Sequence, residues 1–125
     1  MMSTLRISTF SNLSGSSSTS ADTIIKGNVK AWVNFNGTGV LAIRTFYNVA
    51  TITDNGTGDY TINLSNPLTD ANYAFVMQTG GTSSAYTWRT VEDLTARTAS
   101  SIRVYTVNSV GGLLDPAQVG AAFFR

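Results

Sequence analysis

From residue 29 to the C-terminus, apolar side chains return at every second position, and no long helical period builds up. Val29, Ala31, Val33 and Phe35 fall on one face of an extended chain; Lys30, Trp32 and Asn34 fall on the other. Successive strand side chains point to opposite sides, so this pattern buries one row and exposes its neighbour. The alternation recurs down the chain. Val40-Leu41-Ala42-Ile43 continues it, and 46–53 sets Tyr47, Val49 and Thr51 against Phe46, Ala50 and Ile52. Tyr60, Ile62 and Leu64 align over 60–64, and Tyr73, Phe75 and Met77 over 72–79. Tyr86 pairs with Trp88 over 85–91, with Arg89 opposite. Ile102 and Val104 oppose Arg103 and Tyr105 over 100–107, and 117–125 closes the chain as a last strand.

Turn signals separate these segments. They are Asn36-Gly37-Thr38-Gly39, the run 54–59, Asn66-Pro67, the loop 80–84, Gly111-Gly112 and Pro116. Asn and Gly tolerate the positive φ that tight hairpins demand. About seven or eight short strands at this spacing predict an all-β fold, a single antiparallel β-sandwich over residues 29–125. Residues 91–97 have room for one helical turn. The final strand ends on Phe123, Phe124 and Arg125, so it is expected in the sheet or at an interface.

Residues 37–42 spell Gly-x-Gly-x-x-Ala, the outline of a dinucleotide-binding fingerprint. That fingerprint needs a helix opening at the glycines, because the helix N-terminus holds the pyrophosphate. The residues that follow are Val40 to Tyr47, rich in β-branched and aromatic side chains and without a cap. They read as a strand, and the glycines as a hairpin turn.

Residues 1–28 differ from the rest. The run 11–22 is rich in Ser and Thr and nearly free of apolar side chains. Before it, Leu5, Ile7 and Phe10 stand as isolated apolar contacts. This segment is expected to be an extended N-terminal arm, with those three side chains docking on a partner. The chain starts at its own methionine, so the arm is expected to be the attachment, with no shaft encoded.

Composition narrows the chemistry. The 125 residues contain no His and no Cys, which removes disulfides, Cys/His zinc sites, thiol chemistry and histidine-based triads. The net charge of +1 gives no field for nucleic acid or an anionic membrane, and no apolar run is long enough to span one. No cofactor is expected, and no membrane insertion. Charged residues make up 12% of the chain, about half the usual share. A surface so neutral fits a molecule partly covered by other subunits.

Asp54, Asn55 and Asp59 offer oxygens in the 54–59 turn, but turn chemistry explains the run without a metal. Seven acidic residues include Asp70 and the adjacent pair Glu92-Asp93; adjacent strand residues face opposite ways, which makes that pair a poor glycosidase couple. Tyr86, Trp88 and Arg89, beside the 80–84 loop, are candidate sugar contacts, with core filling as the simpler role of the two aromatics. Trp32 sits on the polar face of its strand, where a tryptophan often marks an interface. Trp32, Phe35, Phe123 and Phe124 are the candidate subunit-interface residues.

The series Ala31-Trp32-Val33-Asn34-Phe35-Asn36-Gly37-Thr38-Gly39, Ala42-Ile43-Arg44, Asn48-Val49, Ile52 to Leu64 and Asn72-Tyr73-Ala74 resembles a C-terminal domain of bacteriophage tail-fibre and related virion proteins. The likeness spans about residues 25–80 and continues beyond only in layout. Ala50 and the apolar Val40-Leu41 depart from the pattern. The resemblance implies a non-enzymatic virion structural protein that forms homotrimers on the particle exterior. The expected role is a tail-fibre tip, a receptor-binding module docked on another virion protein through residues 1–28 and contacting host-surface polysaccharide. The alternative is a capsid decoration, or cement, protein on the phage head. A carboxylate glycosidase comes third.

Overall fold

The computed structural model of this chain describes residues 3–81 and 89–125. Among the described residues, eight strands form the body: β3 (Val29–Asn36), β4 (Ala42–Tyr47), β5 (Val49–Gly56), β6 (Asp59–Leu64), β7 (Ala74–Gly80), β8 (Arg89–Asp93), β9 (Ser101–Val107) and β10 (Gln118–Phe124). They make two antiparallel sheets, in the orders β4-β3-β10-β7 and β5-β6-β9-β8. The alternation in the sequence becomes the core. Ala31, Val33, Phe35, Val119, Ala121 and Phe123 from the first sheet meet Ile52, Tyr60, Ile62, Leu64, Ile102 and Val104 from the second. Each large apolar side chain buried in this way contributes roughly 1.5–3 kcal/mol. The all-β sandwich read from the sequence is the fold observed.

Gly37 and Gly39 turn the β3–β4 hairpin, and a strand follows them where the dinucleotide motif needs a helix. Gly39 takes φ +69°, and Gly58, in the β5–β6 turn, φ +64°. Val40 and Leu41 belong to the first turn rather than to the strand, which begins at Ala42. Residues 94–96 form one 3-10 turn, capped by Asp93, whose side chain accepts from Thr95 N.

Three expectations are corrected. The run 46–53 is two strands, because Asn48 takes φ 55° and carries the chain from one sheet to the other. Its amide nitrogen donates to Lys30 O and Asn66 O, both at 3.1 Å, and its oxygen accepts from Asn66 N at 2.8 Å. A register shift between Val49 and Thr51 then brings Val49 and Ile52 both inward. Second, the N-terminal segment is not simply extended. It holds a ribbon of β1 (Thr9–Ser11) and β2 (Ser18–Ser20), then a helix α1 (Ala21–Gly27). Asn12 organises the ribbon turn by accepting from Ser14 Oγ and Ser17 N, and Ser20 caps the helix by accepting from Thr23 N at 3.0 Å. Third, Phe35 and Phe123 are fully buried inside the sandwich, so they have no surface to offer a neighbouring subunit. Phe35 meets Tyr60 edge-on at 5.2 Å between ring centres, and Phe123 packs on Tyr73 and Phe75.

Candidate functional site

The two sheets are tied together at one end. Gln118 pairs with Gly80 and Val119 with both Phe35 and Thr79, so the β3–β4 hairpin and the end of β7 lie at the same end of the sheet, on either side of β10. In the other sheet, Arg89 pairs with Val107 and Asp59 with Tyr105, which brings the β5–β6 turn to the start of β8. The connection from β9 to β10 spans both. Asp115 in that connection accepts from Gly58 N and from the Tyr60 hydroxyl, each at 2.7 Å. Thr38 Oγ1 donates to Asp115 O at 3.1 Å, and Gly37 N to Pro116 O at 2.9 Å. Thr106 N donates to Gly58 O at 2.8 Å, and Arg44 Nη2 to Ala117 O at 2.7 Å.

These contacts explain the glycines. A Cβ on Gly37 would lie 2.4 Å from the Tyr60 hydroxyl, and one on Gly58 2.7 Å from Thr106 O. Both positions need bare backbone, because hydroxyl, carbonyl and carboxylate converge there. Burial, and then the Asp115 carboxylate, push the Tyr60 phenol well above its ordinary pKa. The outcome is a hydrogen-bonded platform at the end of the sandwich from which the β3–β4 and β5–β6 turns depart.

Of the predicted sugar contacts, Arg89 lies at this end, exposed at the start of β8. Tyr86 and Trp88 fall outside the described residues. The arm joins the body at Val29, at the far end of β3 from its hairpin. Leu5 and Phe10 of the arm are exposed, and Ile7 is the most shielded of the three.

The carboxylates are held by protein donors. Asp59 receives Arg103 through two bonds, at 2.9 and 2.6 Å, and Asn55 Nδ2 at 3.3 Å. Asp54 accepts from Gly56 N, so both carboxylates of the 54–59 turn accept from donors of the chain itself. Asp70 pairs with Arg125, and Glu92 with Arg97, whose guanidinium also lies 4.0 Å over the Tyr73 ring. Three carboxyls are displaced in acidity, all downward: Asp59 by Arg103, Asp70 by Arg125 and Asp93 by Thr95. Among the described residues, no group of three or more His, Cys, Asp or Glu gathers as metal ligands would.

A second feature lies on the outer face of the β4-β3-β10-β7 sheet. Tyr47, Trp32, Ala122 and Val76 are in register across all four strands, with Asn34, Gly120 and Gln78 in the next row. Gly120 and Ala122 leave β10 nearly bare, and a groove of about 520 Å³ runs between Trp32 and the side chains of Val76 and Gln78. Phe124 points outward on the same strand, partly exposed. Trp32 and Phe124 thus lie on a surface, unlike Phe35 and Phe123. Asp115, Val76 and Ala122 were not singled out from the sequence, and Tyr47 only as a strand position; beside Asp115, Pro116 alone read as a chain break.

No family model matches the chain, and no curated protein matches it. In structure it is similar to the phiAB6 tailspike, solved in complex with three-repeated oligosaccharides of Acinetobacter baumannii surface polysaccharide. The likeness has a TM-score of 0.52 at 15% identity and covers 93% of this chain. It takes in 22% of the tailspike chain. The sandwich described here is therefore a fold that also occurs within a bacteriophage tailspike.

Proposed function

We propose that this chain is a receptor-binding module of a bacteriophage tail, carried on the outside of the virion and recognising host-surface polysaccharide without cleaving it. The observation that carries this reading is the fold likeness, over nearly the whole chain, to a tailspike solved with surface-polysaccharide oligosaccharides. The polarity of the sandwich supports it. The arm enters at one end, and the hydrogen-bonded platform with its turns stands at the other, so attachment and recognition need not compete for the same surface.

In this reading residues 1–28 dock on another virion protein, with Leu5, Ile7 and Phe10 as the apolar contacts. The module acts as a homotrimer, in which Trp32 and Phe124 are available to neighbouring subunits. Tyr86, Trp88 and Arg89 are the proposed glycan contacts, aromatic rings stacking on sugar faces and the guanidinium donating to hydroxyls.

The test is gold labelling of intact particles with an antibody to the sandwich, together with competition of phage adsorption by the purified chain. Label at the tail tips and dose-dependent inhibition of adsorption are expected. Label spread over the head shell replaces this reading with capsid decoration. Release of reducing ends from host polysaccharide by the purified chain overturns the non-enzymatic part, and Asp54→Asn and Glu92→Gln then identify the carboxylates responsible.

A further inference from the structure

We propose that the outer face of the β4-β3-β10-β7 sheet is the surface through which this chain meets copies of itself. Three such faces close around a common axis, each protomer setting its Tyr47 edge against the Val76 edge of the next. This rests on the homotrimer reading and gives it an address.

The two outer faces of the sandwich differ in chemistry. On the β5-β6-β9-β8 sheet, Thr51, Thr53, Thr61 and Asn63 form a hydrogen-bonded array: Asn63 Nδ2 reaches Thr51 at 3.1 Å and Thr53 at 3.0 Å, and Asn55 reaches Thr61 at 2.9 Å. The Asp59–Arg103 pair stands beside them, with Arg103 5.5 Å from the centre of the Tyr105 ring. That face is mostly polar, with Val91 and Tyr105, paired across β8 and β9, as its apolar members. On the β4-β3-β10-β7 sheet the corresponding row is Tyr47, Trp32, Ala122 and Val76. Tyr47 is 57% exposed and Val76 55%. A contiguous aromatic and aliphatic row on a soluble surface marks an interface.

Three observations select a further copy as the occupant. Charge is the first. The ionised groups of this face among the described residues are Lys30 and Arg44, and both are bonded within the chain, Lys30 to Ile25 O and Arg44 to Asn34 Oδ1 and Ala117 O. At net +1 the copies meet with little repulsion, and a strongly charged partner finds no complement. Shape is the second. The face carries a projecting ring on edge strand β4, a bare trough over Gly120 and Ala122, and an aliphatic flank on β7. One side therefore differs from the other, which suits a head-to-tail contact, and such a contact makes a ring when its rotation closes. Continuity is the third. The arm enters through β3, the strand that carries Trp32, so three arms would leave the body together beside the axis.

The experiment measures mass in solution by sedimentation for the wild type, Ala122→Arg, Val76→Arg and, on the opposite face, Thr53→Arg, with far-UV circular dichroism as the check on folding. The wild type and Thr53→Arg are expected to be trimers, and Ala122→Arg and Val76→Arg to fall about threefold in mass while keeping their strand signal. Val76 projects outward by more than half its surface, so its variant still reports if Ala122→Arg fails to fold. Trimeric Ala122→Arg and Val76→Arg overturn this address and leave the trimer standing. A monomeric wild type overturns the trimer itself. Variants that stay trimeric and lose polysaccharide binding make the trough a sugar site and overturn the proposal in that direction.

Discussion

At the loop-bearing end of the sandwich, Gly37, Gly58, Tyr60 and Asp115 find their partners inside the same chain. On the outer face of the β4-β3-β10-β7 sheet, Tyr47 and Val76 project into solvent and flank a trough that the chain leaves open. Both regions are assembled from small residues beside aromatics, and the difference lies in what fills the space. In the first, each missing Cβ is matched by a hydroxyl or carbonyl of the fold. In the second, Gly120 and Ala122 leave a trough that the described residues fill only in part, with the Gln78 side chain lying over Gly120. A change in the first region should therefore show in folding, and a change in the second in association.

The largest expected effect tests the first half of that contrast. Gly58→Ala puts a side chain at φ +64°, with backbone atoms of Thr106 and Leu114 less than 3 Å away. Left-handed strain and the forced backbone shift together should cost about 3–5 kcal/mol, read as a lower urea midpoint. A midpoint close to that of the wild type would mean that the β5–β6 turn can move away from the 113–117 segment and that the platform is not stiff. Trp32→Ala comes next and tests the second half. Truncating an aromatic anchor at an interface typically costs 2 kcal/mol or more in binding, roughly a thirtyfold rise in the dissociation constant. Sedimentation over a dilution series should detect that loss, with a smaller change in the melting temperature of the dissociated chain. Unchanged assembly beside a large loss of melting temperature would move Trp32 from the second region to the first.

Tyr60→Phe sharpens the comparison, because it removes one hydroxyl and leaves the packed ring. Asp115 keeps Gly58 N but loses its second donor, a cost of about 1–3 kcal/mol. The pH dependence separates this from a packing defect. The folded phenol titrates above its ordinary value of 10.0. Its contribution is complete below pH 10 and declines as pH rises, because the unfolded chain ionises first. Tyr60→Phe should therefore have a shallower alkaline loss of stability than the wild type. The slope should not vanish, since burial raises Tyr73 as well. Identical alkaline slopes would remove Tyr60 from the account.

Much of this was legible in the sequence, for reasons of period. Strands with one buried face announce themselves, so 29–36, 60–64, 72–79 and 100–107 were placed with the correct rows inward. The glycine turns were legible because Asn-Gly pairs admit few backbone shapes. Asn48 was missed because a positive φ at Asn leaves no mark on alternation, and the register shift after Val49 hid the break further. The helix in the arm was missed because its seven residues carry no amphipathic period; the Ser20 cap was the available signal. Asp115 could not be found by spacing, since its partners are 55 and 57 residues away in sequence. The assignment of Phe35 and Phe123 to an interface failed on parity. They share the inward row with Val33 and Ala121, and Trp32, one step out of phase, is the residue that reaches the surface.

The smallest effect belongs to the water-facing sheet. Arg103 holds the Asp59 carboxyl below the ordinary carboxylate value of 3.8, chiefly through direct hydrogen bonds. Because the folded group is the stronger acid, its contribution is complete above that value. It drains away as pH falls through the lower, folded one, since the unfolded chain takes up the proton first. Asp59→Asn should therefore lose that contribution at neutral pH, at most about 1 kcal/mol for a pair this exposed, and show a flatter acid limb of stability below about pH 4. The limb should not disappear, because Asp70 and Asp93 are displaced in the same direction. The Arg103 side chain is 39% exposed, so added salt should weaken the pair and narrow the gap between the two proteins. The same titration also bears on the contrast with the opposite sheet face. If Asp59→Asn changed the assembled mass, the water-facing sheet would be part of the subunit contact, and the division of labour between the two outer faces would fail.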